Sequence, residues 1–224
     1  MYAETGEWAT SHPGGREVPR IGRQLLRAVD ERTGICTPVE RSQVLDFGCG
    51  HGRWLNALAK CGWDTFGIDP STKTAFARHT ELAAVPASPR FQLVIASHVL
   101  EHVPDPGEVL NALGRATLPG GWIFVSVPNL DRLPDHREWR YVLNARAHMA
   151  AYSFDCLQVL LDRAGFGDVT LVTLPRETRK GLKRLRVVAR RGAPARPPAR
   201  PLEAALDAMR RASVIGVHAP GRIL

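Results

Sequence analysis

Three glycines that alternate with other residues form the most informative stretch of the chain. Gly48, Gly50 and Gly52 directly follow the short apolar run Val44–Phe47, which also contains Asp46. Glycine has no Cβ and tolerates positive φ, so such a loop lets the backbone approach a ligand closely. The amides that begin the following helix add the positive end of the helix dipole. The spacing therefore predicts a site for an adenosine-containing cofactor that carries a carboxylate or a phosphate.

Titratable side chains gather after a second apolar run. His98, Glu101 and His102 follow the predicted strand Phe91–Ser97, and an imidazole can act as a base near neutral pH. Their H-x-x-E-H spacing is also that of one metallopeptidase class, but that chemistry needs a helix, and Pro104 follows almost at once. A divalent metal held by these three side chains is a further alternative. Because the imidazole of His98 occupies a position where Mg²⁺ would prefer an oxygen ligand, we predict no metal.

The elements that must position these groups alternate between strands and helices. The predicted strands are Val44–Phe47, Thr65–Ile68, Phe91–Ser97, Trp122–Val127, Val169–Thr173 and Leu185–Ala189. The predicted helices run from the glycine loop to about Lys60, from Thr72 to about His79, from Pro106 onward, and from the Ser153 cap to Ala164. Alternation of this kind predicts an α/β fold with a doubly wound, mostly parallel sheet. The last two strands lack a helix between them, so we expect the sheet to end in an antiparallel C-terminal hairpin.

Length and composition divide the 224 residues into three parts. Residues 1–40 are predicted to form an N-terminal arm and helix that could serve as a lid. Residues 41–191 are predicted to form the cofactor-binding domain, and residues 192–224 a Pro/Arg linker with an amphipathic tail. One domain with an appendage is the expected organisation for this length, as a monomer or a homodimer.

Charge and cysteine content bear on partners and location. The net charge is +8, but much of the excess lies in Arg176–Arg200, outside the predicted cofactor core, so we do not expect nucleic acid as the substrate. The four cysteines form no C-x-x-C pair, which favours a reducing compartment. No apolar run approaches the roughly 18 residues of a membrane helix, and the N-terminus lacks the pattern of a secretory signal. The expected location is the cytoplasm.

Four stretches in this order resemble the class I S-adenosylmethionine-dependent methyltransferases. They are Val44–Gly52, Asp69 at the end of the second strand, Phe91–Pro106 and Leu118–Pro128. The similarity is to the small-molecule branch, which includes the ubiquinone-biosynthesis O-methyltransferases. It implies a Rossmann-like fold and methyl transfer from S-adenosylmethionine to a small-molecule acceptor, with a hydroxyl oxygen as the expected target.

The resemblance also implies roles for individual residues. Asp46 would orient the amino group of the cofactor, and Asp69 would accept hydrogen bonds from its ribose hydroxyls. His98 and His148 are the expected catalytic bases. The residues expected to contact the cofactor are Asp46, Gly48, Cys49, Gly50, Gly52, Asp69, Pro70, Ser97 and His98.

Alternatives to this interpretation stay open. A nicotinamide-binding fold would use G-x-G-x-x-G spacing, which the loop lacks. Asp69 could be only a capping or turn residue before Pro70. The stretch between Asp69 and Phe91 is short for this family and offers no aspartate for the adenine amino group. A nucleic-acid or protein methyltransferase, or a non-catalytic binding protein with a methyltransferase fold, are therefore the competing functions.

Overall fold

The computed structural model describes residue 31 and residues 42–59, 62–70, 77–79, 85–132, 147–172 and 184–195. The predicted N-terminal arm and the amphipathic tail lie outside these ranges. The three-part division of the chain therefore stays a prediction, as does the oligomeric state. Within the described ranges, no helix is long and apolar enough to cross a membrane.

Seven strands and three α-helices make up the described part of the chain. The strands are β1 Gln43–Phe47, β2 Asp64–Ile68, β3 Ala77–His79, β4 Phe91–Ser97, β5 Thr117–Pro128, β6 Phe166–Leu171 and β7 Arg184–Arg191. The α-helices are α1 Arg53–Ala59, α2 Pro106–Ala116 and α3 Phe154–Arg163. Short 3₁₀ turns lie at Leu100–His102 and Leu130–Arg132.

The strands form one sheet in the order β3-β2-β1-β4-β5-β7-β6. The pairs from β3 to β5 are parallel, whereas β7 is antiparallel to both β5 and β6. This topology confirms the predicted mostly parallel sheet with an antiparallel C-terminal hairpin. The chain order reverses where β1 lies beside β4, and ligands of open α/β sheets bind at the carboxyl ends of strands at such a point. The glycine loop follows β1, and His98 follows β4.

The central strands are buried on both faces of the sheet. This packing fixes the carboxyl ends of β1 and β4, where the glycine loop and His98 follow. Along β4, Val94 lies in one apolar cluster with residues of α2 and α3. Its neighbours Leu93 and Ile95 lie in a second cluster with Leu58 of α1. Since side chains alternate along a strand, the apolar run of β4 covers both faces of the sheet and requires helices on each side.

Local signals set the helix ends as the sequence predicts. Asp105 caps α2 by accepting a hydrogen bond from an amide of the first turn at 2.8 Å, and Pro106 occupies the first turn. Ser153 caps α3 by accepting from the amide of Cys156 at 3.2 Å. Gly165 follows this helix with a φ of 80°. The helix predicted from Ser153 and its glycine stop are therefore confirmed.

Three predicted boundaries are wrong. Strand β5 begins at Thr117, five residues before the predicted start at Trp122, because Thr117 already pairs with Phe91 of β4. Residues 77–79 belong to a strand, not to the end of the helix predicted from Thr72, because Ala77 and His79 pair in parallel with the open edge of β2. Backbone pairing outweighs the helical preference of this alanine-rich stretch. Strand β6 begins at Phe166, three residues before the predicted start. Gly167 and Asp168 are poor strand formers, but a register shift and a φ of 53° at Asp168 place a bulge there.

Candidate active site

The glycine loop after β1 has the backbone conformation that its sequence predicts. The φ angles of Gly48, Gly50 and Gly52 are 75°, 49° and 68°, all in the region that favours glycine. The amides of Gly48 and Cys49 donate to the carbonyl of Ile68 at 2.7 and 3.1 Å. These hydrogen bonds attach the loop to the carboxyl end of β2.

Asp69 completes the link between the loop and β2. The amide of Gly50 donates to Asp69 Oδ2 at 2.7 Å, and Asp69 is buried while Pro70 is exposed. The carboxylate therefore helps to shape the glycine loop, whereas the alternative considered from sequence was a cap or turn before Pro70. The same contact brings the two predicted cofactor-binding elements onto one edge of the sheet.

Asp46, at the end of β1, is a buried carboxylate without a hydrogen-bond partner among the described residues. It is 1% exposed, and neither Oδ1 nor Oδ2 is hydrogen-bonded there. Burial, with a further contribution from the charge of Asp69, raises the pKa of Asp46 to about 8. Burying a charged carboxylate without a partner costs free energy, so this position suits a ligand that brings a cationic hydrogen-bond donor.

His98 begins the second half of the site, at the end of β4. Its amide donates to the carbonyl of Ser126 at 2.7 Å, and its φ of 57° is uncommon for a residue with a side chain. Its Nδ1 lies 3.1 Å from Oε1 of Glu101, and its Nε2 has no partner in the described part of the chain. Ser97 lies just before it, opposite Ser126 in the pairing with β5. The strained backbone and the contact with Glu101 together fix the imidazole.

The segment that contains His148 returns to the turn after β4. His102 Nδ1 donates to the carbonyl of Ala147 at 2.6 Å, and the rings of His102 and His148 meet edge to face with centroids 4.9 Å apart. The structure thus brings His148 to this turn, where it contacts His102. His98 lies on the same turn and is connected to His102 through Glu101, whose Oε1 is 4.0 Å from His102 Nε2.

The contact between Glu101 and His98 has a signal in the sequence, because a spacing of three residues lets side chains meet across one helical turn. The side chain of His102 instead binds the backbone carbonyl of Ala147.

The loop and Asp46 pass a test of fit for the cofactor that the resemblance implies. A Cβ added at Gly50 would have no neighbouring atom within 4 Å, so the backbone borders open space there. Asp46 supplies a buried acceptor for an amino group, and Asp69 lies beside the loop. Residues 71–76 and 80–84 are not described, so the contact with adenine stays a prediction.

The sequence from residue 17 to residue 171 matches the model of a methyltransferase domain family. The chain belongs to this methyltransferase family. Membership confirms the resemblance to S-adenosylmethionine-dependent methyltransferases and the expectation that the protein is an enzyme of this class, with S-adenosylmethionine as its cofactor.

Curated relatives are similar over part of their length. The chain is 36% identical over 138 residues to the ubiquinone biosynthesis O-methyltransferase of Thiobacillus denitrificans, covering 54% of this chain and 58% of the relative. It is 34% identical over 109 residues to the enzyme of the same name from Paracidovorax citrulli, covering 41% and 46%. The chain therefore spans about half the length of these relatives.

Solved structures show the same fold. A methyltransferase from Archaeoglobus fulgidus, described as dependent on S-adenosylmethionine, matches with a TM-score of 0.55 at 18% identity over 75% of this chain and 94% of that one. Human N-acetylserotonin methyltransferase, in complex with S-adenosylmethionine, matches with a TM-score of 0.57 at 20% identity over 77% and 52%. At these identities the likeness supports the methyltransferase fold alone.

Proposed function

We propose that this methyltransferase transfers a methyl group from S-adenosylmethionine to a hydroxyl oxygen of a small-molecule acceptor. The observation that carries the proposal is Asp46, a buried carboxylate without a partner among the described residues, directly before a loop of three glycines with positive φ. The cationic amino group of S-adenosylmethionine matches Asp46, and its carboxylate matches the N-terminal amides of α1, which follows the loop.

The other cofactor contacts follow from the same edge of the sheet. Asp69 would accept hydrogen bonds from the ribose hydroxyls while keeping its bond to the amide of Gly50. Cys49 and Pro70 flank these groups, and Gly48 and Gly52 let the backbone follow the methionine part. Ser97 and His98 would border the methyl group, because they end the neighbouring strand β4.

Bound S-adenosylmethionine supplies a methyl group on a sulfonium, which is already a good electrophile. The main task of the protein is then to hold the acceptor oxygen in line with the bond between the methyl group and sulfur. Such positioning can lower the activation free energy by on the order of 7–11 kcal/mol. His98 is the proposed base: with Nδ1 held by Glu101 at 3.1 Å, its Nε2 would accept the hydroxyl proton. His148, on the segment that returns to this turn, is the second candidate base.

The curated relatives named above support a small acceptor with a hydroxyl group, because they are O-methyltransferases. We expect residues 128–150 to select the acceptor, because irregular insertions often carry specificity. A cytoplasmic location stays a prediction.

Labelled S-adenosylmethionine and a panel of phenols, sugars and amines test the proposal. We expect label on a hydroxyl oxygen of at least one small acceptor, identified by mass spectrometry of the product. His98→Ala should lower kcat by about 10²–10⁴-fold without changing the affinity for S-adenosylmethionine. Asn111→Ala, on the exposed face of α2, is the matched control and should keep full activity.

Other outcomes would refute specific parts of the proposal. Label on nucleic acid or protein alone would contradict a small acceptor. Cofactor binding without transfer to any acceptor would favour a non-catalytic binding protein with this fold. Unchanged kcat in His98→Ala would remove His98 from the role of base.

A further inference from the structure

A row of polar side chains crosses the sheet at its carboxyl edge, beside the proposed methyl site. Ser97 of β4 lies opposite Ser126 of β5, and Ser126 lies opposite Arg186 of β7. Residues opposite one another on paired strands present their side chains on the same face of a sheet. We propose that Arg186 binds an anionic group of the acceptor, a carboxylate or a phosphate, while the acceptor hydroxyl faces the methyl group. This inference rests on the proposed function, because it concerns the acceptor of the same reaction.

The row lies on the face of the sheet that also carries Asp46. Ile95, Phe124 and Val188, each two residues from a member of the row, belong to one apolar cluster with Leu58 of α1. Since side chains alternate along a strand, the three members of the row point to this same face. Asp46 pairs with Ile95 and shares the face. The arginine and the acid proposed to hold the cofactor's amino group therefore lie on one side of the sheet, near the carboxyl ends of its strands.

Arg186 suits an anionic ligand because it is a buried cation. It is 5% exposed, and a guanidinium removed from water is costly unless anions or other acceptors surround it. Its planar group has five N–H donors, so it can keep hydrogen bonds within the protein and still give two parallel bonds to a carboxylate or a phosphate. Burial also favours a small anion, since nucleic acid is bound by exposed basic patches.

The neighbours of the row connect it to the proposed base and to the acceptor segment. The amide of His98 donates to the carbonyl of Ser126 at 2.7 Å, which fixes the base against the row. Arg184, two residues before Arg186 on the same face, is exposed and pairs with Pro128, where the segment expected to select the acceptor begins. Together the two arginines place positive charge beside the methyl site, and this charge would attract an anionic acceptor.

The spacing of the strands sets the length of such an acceptor. Neighbouring strands lie about 4.8 Å apart, so β4 and β7, which are separated by β5, are about 10 Å apart. The side chain of Arg186 is long enough to cover part of this distance toward Ser97. A molecule with its hydroxyl and its anionic group at opposite ends of one aromatic ring would span the rest.

Titration with matched probes tests anion binding without any methyl transfer. The probes are 4-hydroxybenzoate and its uncharged amide, added to the full chain with the demethylated cofactor present. The wild type should bind the acid about 10- to 150-fold more tightly, the range expected for hydrogen bonds to a charged group. Arg186→Met keeps a long side chain without the charge and should bind both probes equally. Arg190→Met removes an exposed arginine farther along the same face of β7 and should behave like the wild type.

Kinetics with labelled S-adenosylmethionine measure the same preference in the reaction. Each phenol of the acceptor panel is offered as its acid, its amide and its phosphate ester, so the panel also shows whether the site prefers carboxylate or phosphate. Arg186→Met should raise KM for the preferred anion by about 10-fold or more, with little change in kcat and no change for the amide. An equal loss of activity with charged and neutral acceptors would indicate a merely structural role and overturn the inference.

Circular dichroism melting identifies a variant that fails to fold. If Arg186→Met unfolds, Arg186→Lys carries the test, because lysine keeps the charge but cannot give two parallel hydrogen bonds, and it should weaken binding of the acid. Equal affinity of the wild type for acid and amide, or no binding of either, would overturn the anion site. A preference for the acid without methyl transfer would reject the proposed function and leave the anion site standing, whereas transfer to neutral acceptors alone would do the reverse.

Discussion

Replacing Asp46 by asparagine should stabilise the ligand-free protein near pH 8 and weaken its binding of S-adenosylmethionine. The side chain is 1% exposed and without a hydrogen-bond partner among the described residues, so its charge is costly in the absence of a ligand. The cofactor's amino group would turn that cost into a charge-assisted hydrogen bond of about 1.5–3 kcal/mol. Its loss in Asp46→Asn corresponds to about a 10- to 150-fold weaker affinity.

The pKa of Asp46 sets the size of the stability effect. Burial, together with the charge of Asp69, raises this pKa from 3.8 to about 8. Below about pH 4 both the folded and the unfolded chain hold the proton, and the contribution to stability is full. Between about pH 4 and pH 8 only the folded chain holds it, so the free energy of unfolding falls by about 1.4 kcal/mol per pH unit. The loss by pH 8 is up to about 6 kcal/mol.

Asparagine cannot ionise, so the variant should lack this slope. Its own buried amide costs about 1–3 kcal/mol, which leaves a net gain on the order of 3 kcal/mol near pH 8. Urea denaturation without cofactor, repeated between about pH 5 and pH 8, measures the slope. Asp64→Asn, at an exposed position of β2, is the control and should follow the wild type. Parallel pH profiles of the wild type and Asp46→Asn would refute the reasoning.

The remaining predictions concern the glycine loop and the turn after β4. Gly48→Ala should lower the free energy of unfolding by about 2–4 kcal/mol, measured by urea denaturation, because φ is 75° and the new Cβ would lie 2.7 Å from Val99 Cγ2. Gly50→Ala, with a φ of 49° but no atom within 4 Å, should lose only about 1 kcal/mol while still weakening cofactor binding in calorimetry. An equal loss in the two variants would contradict the steric argument. Tyr152→Phe leaves the carbonyl of Leu100 without its 2.8 Å hydrogen bond and should cost about 1–3 kcal/mol; an unchanged melting temperature would show that the bond contributes nothing.

Much of the cofactor edge could be predicted because its signals are local. The glycine spacing reports backbone conformation directly, and all three φ angles are positive as expected. Strand β4 is predicted to the residue, since an apolar run flanked by a turn has few alternatives. The helix caps at Asp105 and Ser153 follow from side chains that lie next to the amides they bind.

What could not be predicted depends on contacts between distant residues. Strand β3 owes its conformation to the open edge of β2, so the local preference of residues 77–79 is misleading. The segment that contains His148 reaches the turn after β4 through hydrogen bonds such as that between His102 and Ala147, which are 45 residues apart, and spacing along the chain does not reveal such a contact. The burial of Asp46 without a hydrogen-bond partner among the described residues is likewise a property of the packed fold, and it is the observation on which the proposed function depends.

Calorimetric titration with S-adenosylmethionine tests the central claim most directly. We expect one binding site per chain with an affinity in the micromolar range. Asp69→Ala should weaken this binding by about 10-fold or more, because the variant loses both the contact with the amide of Gly50 and an acceptor for the ribose hydroxyls. Absence of binding at millimolar cofactor, or an affinity unchanged by Asp69→Ala, would contradict the account.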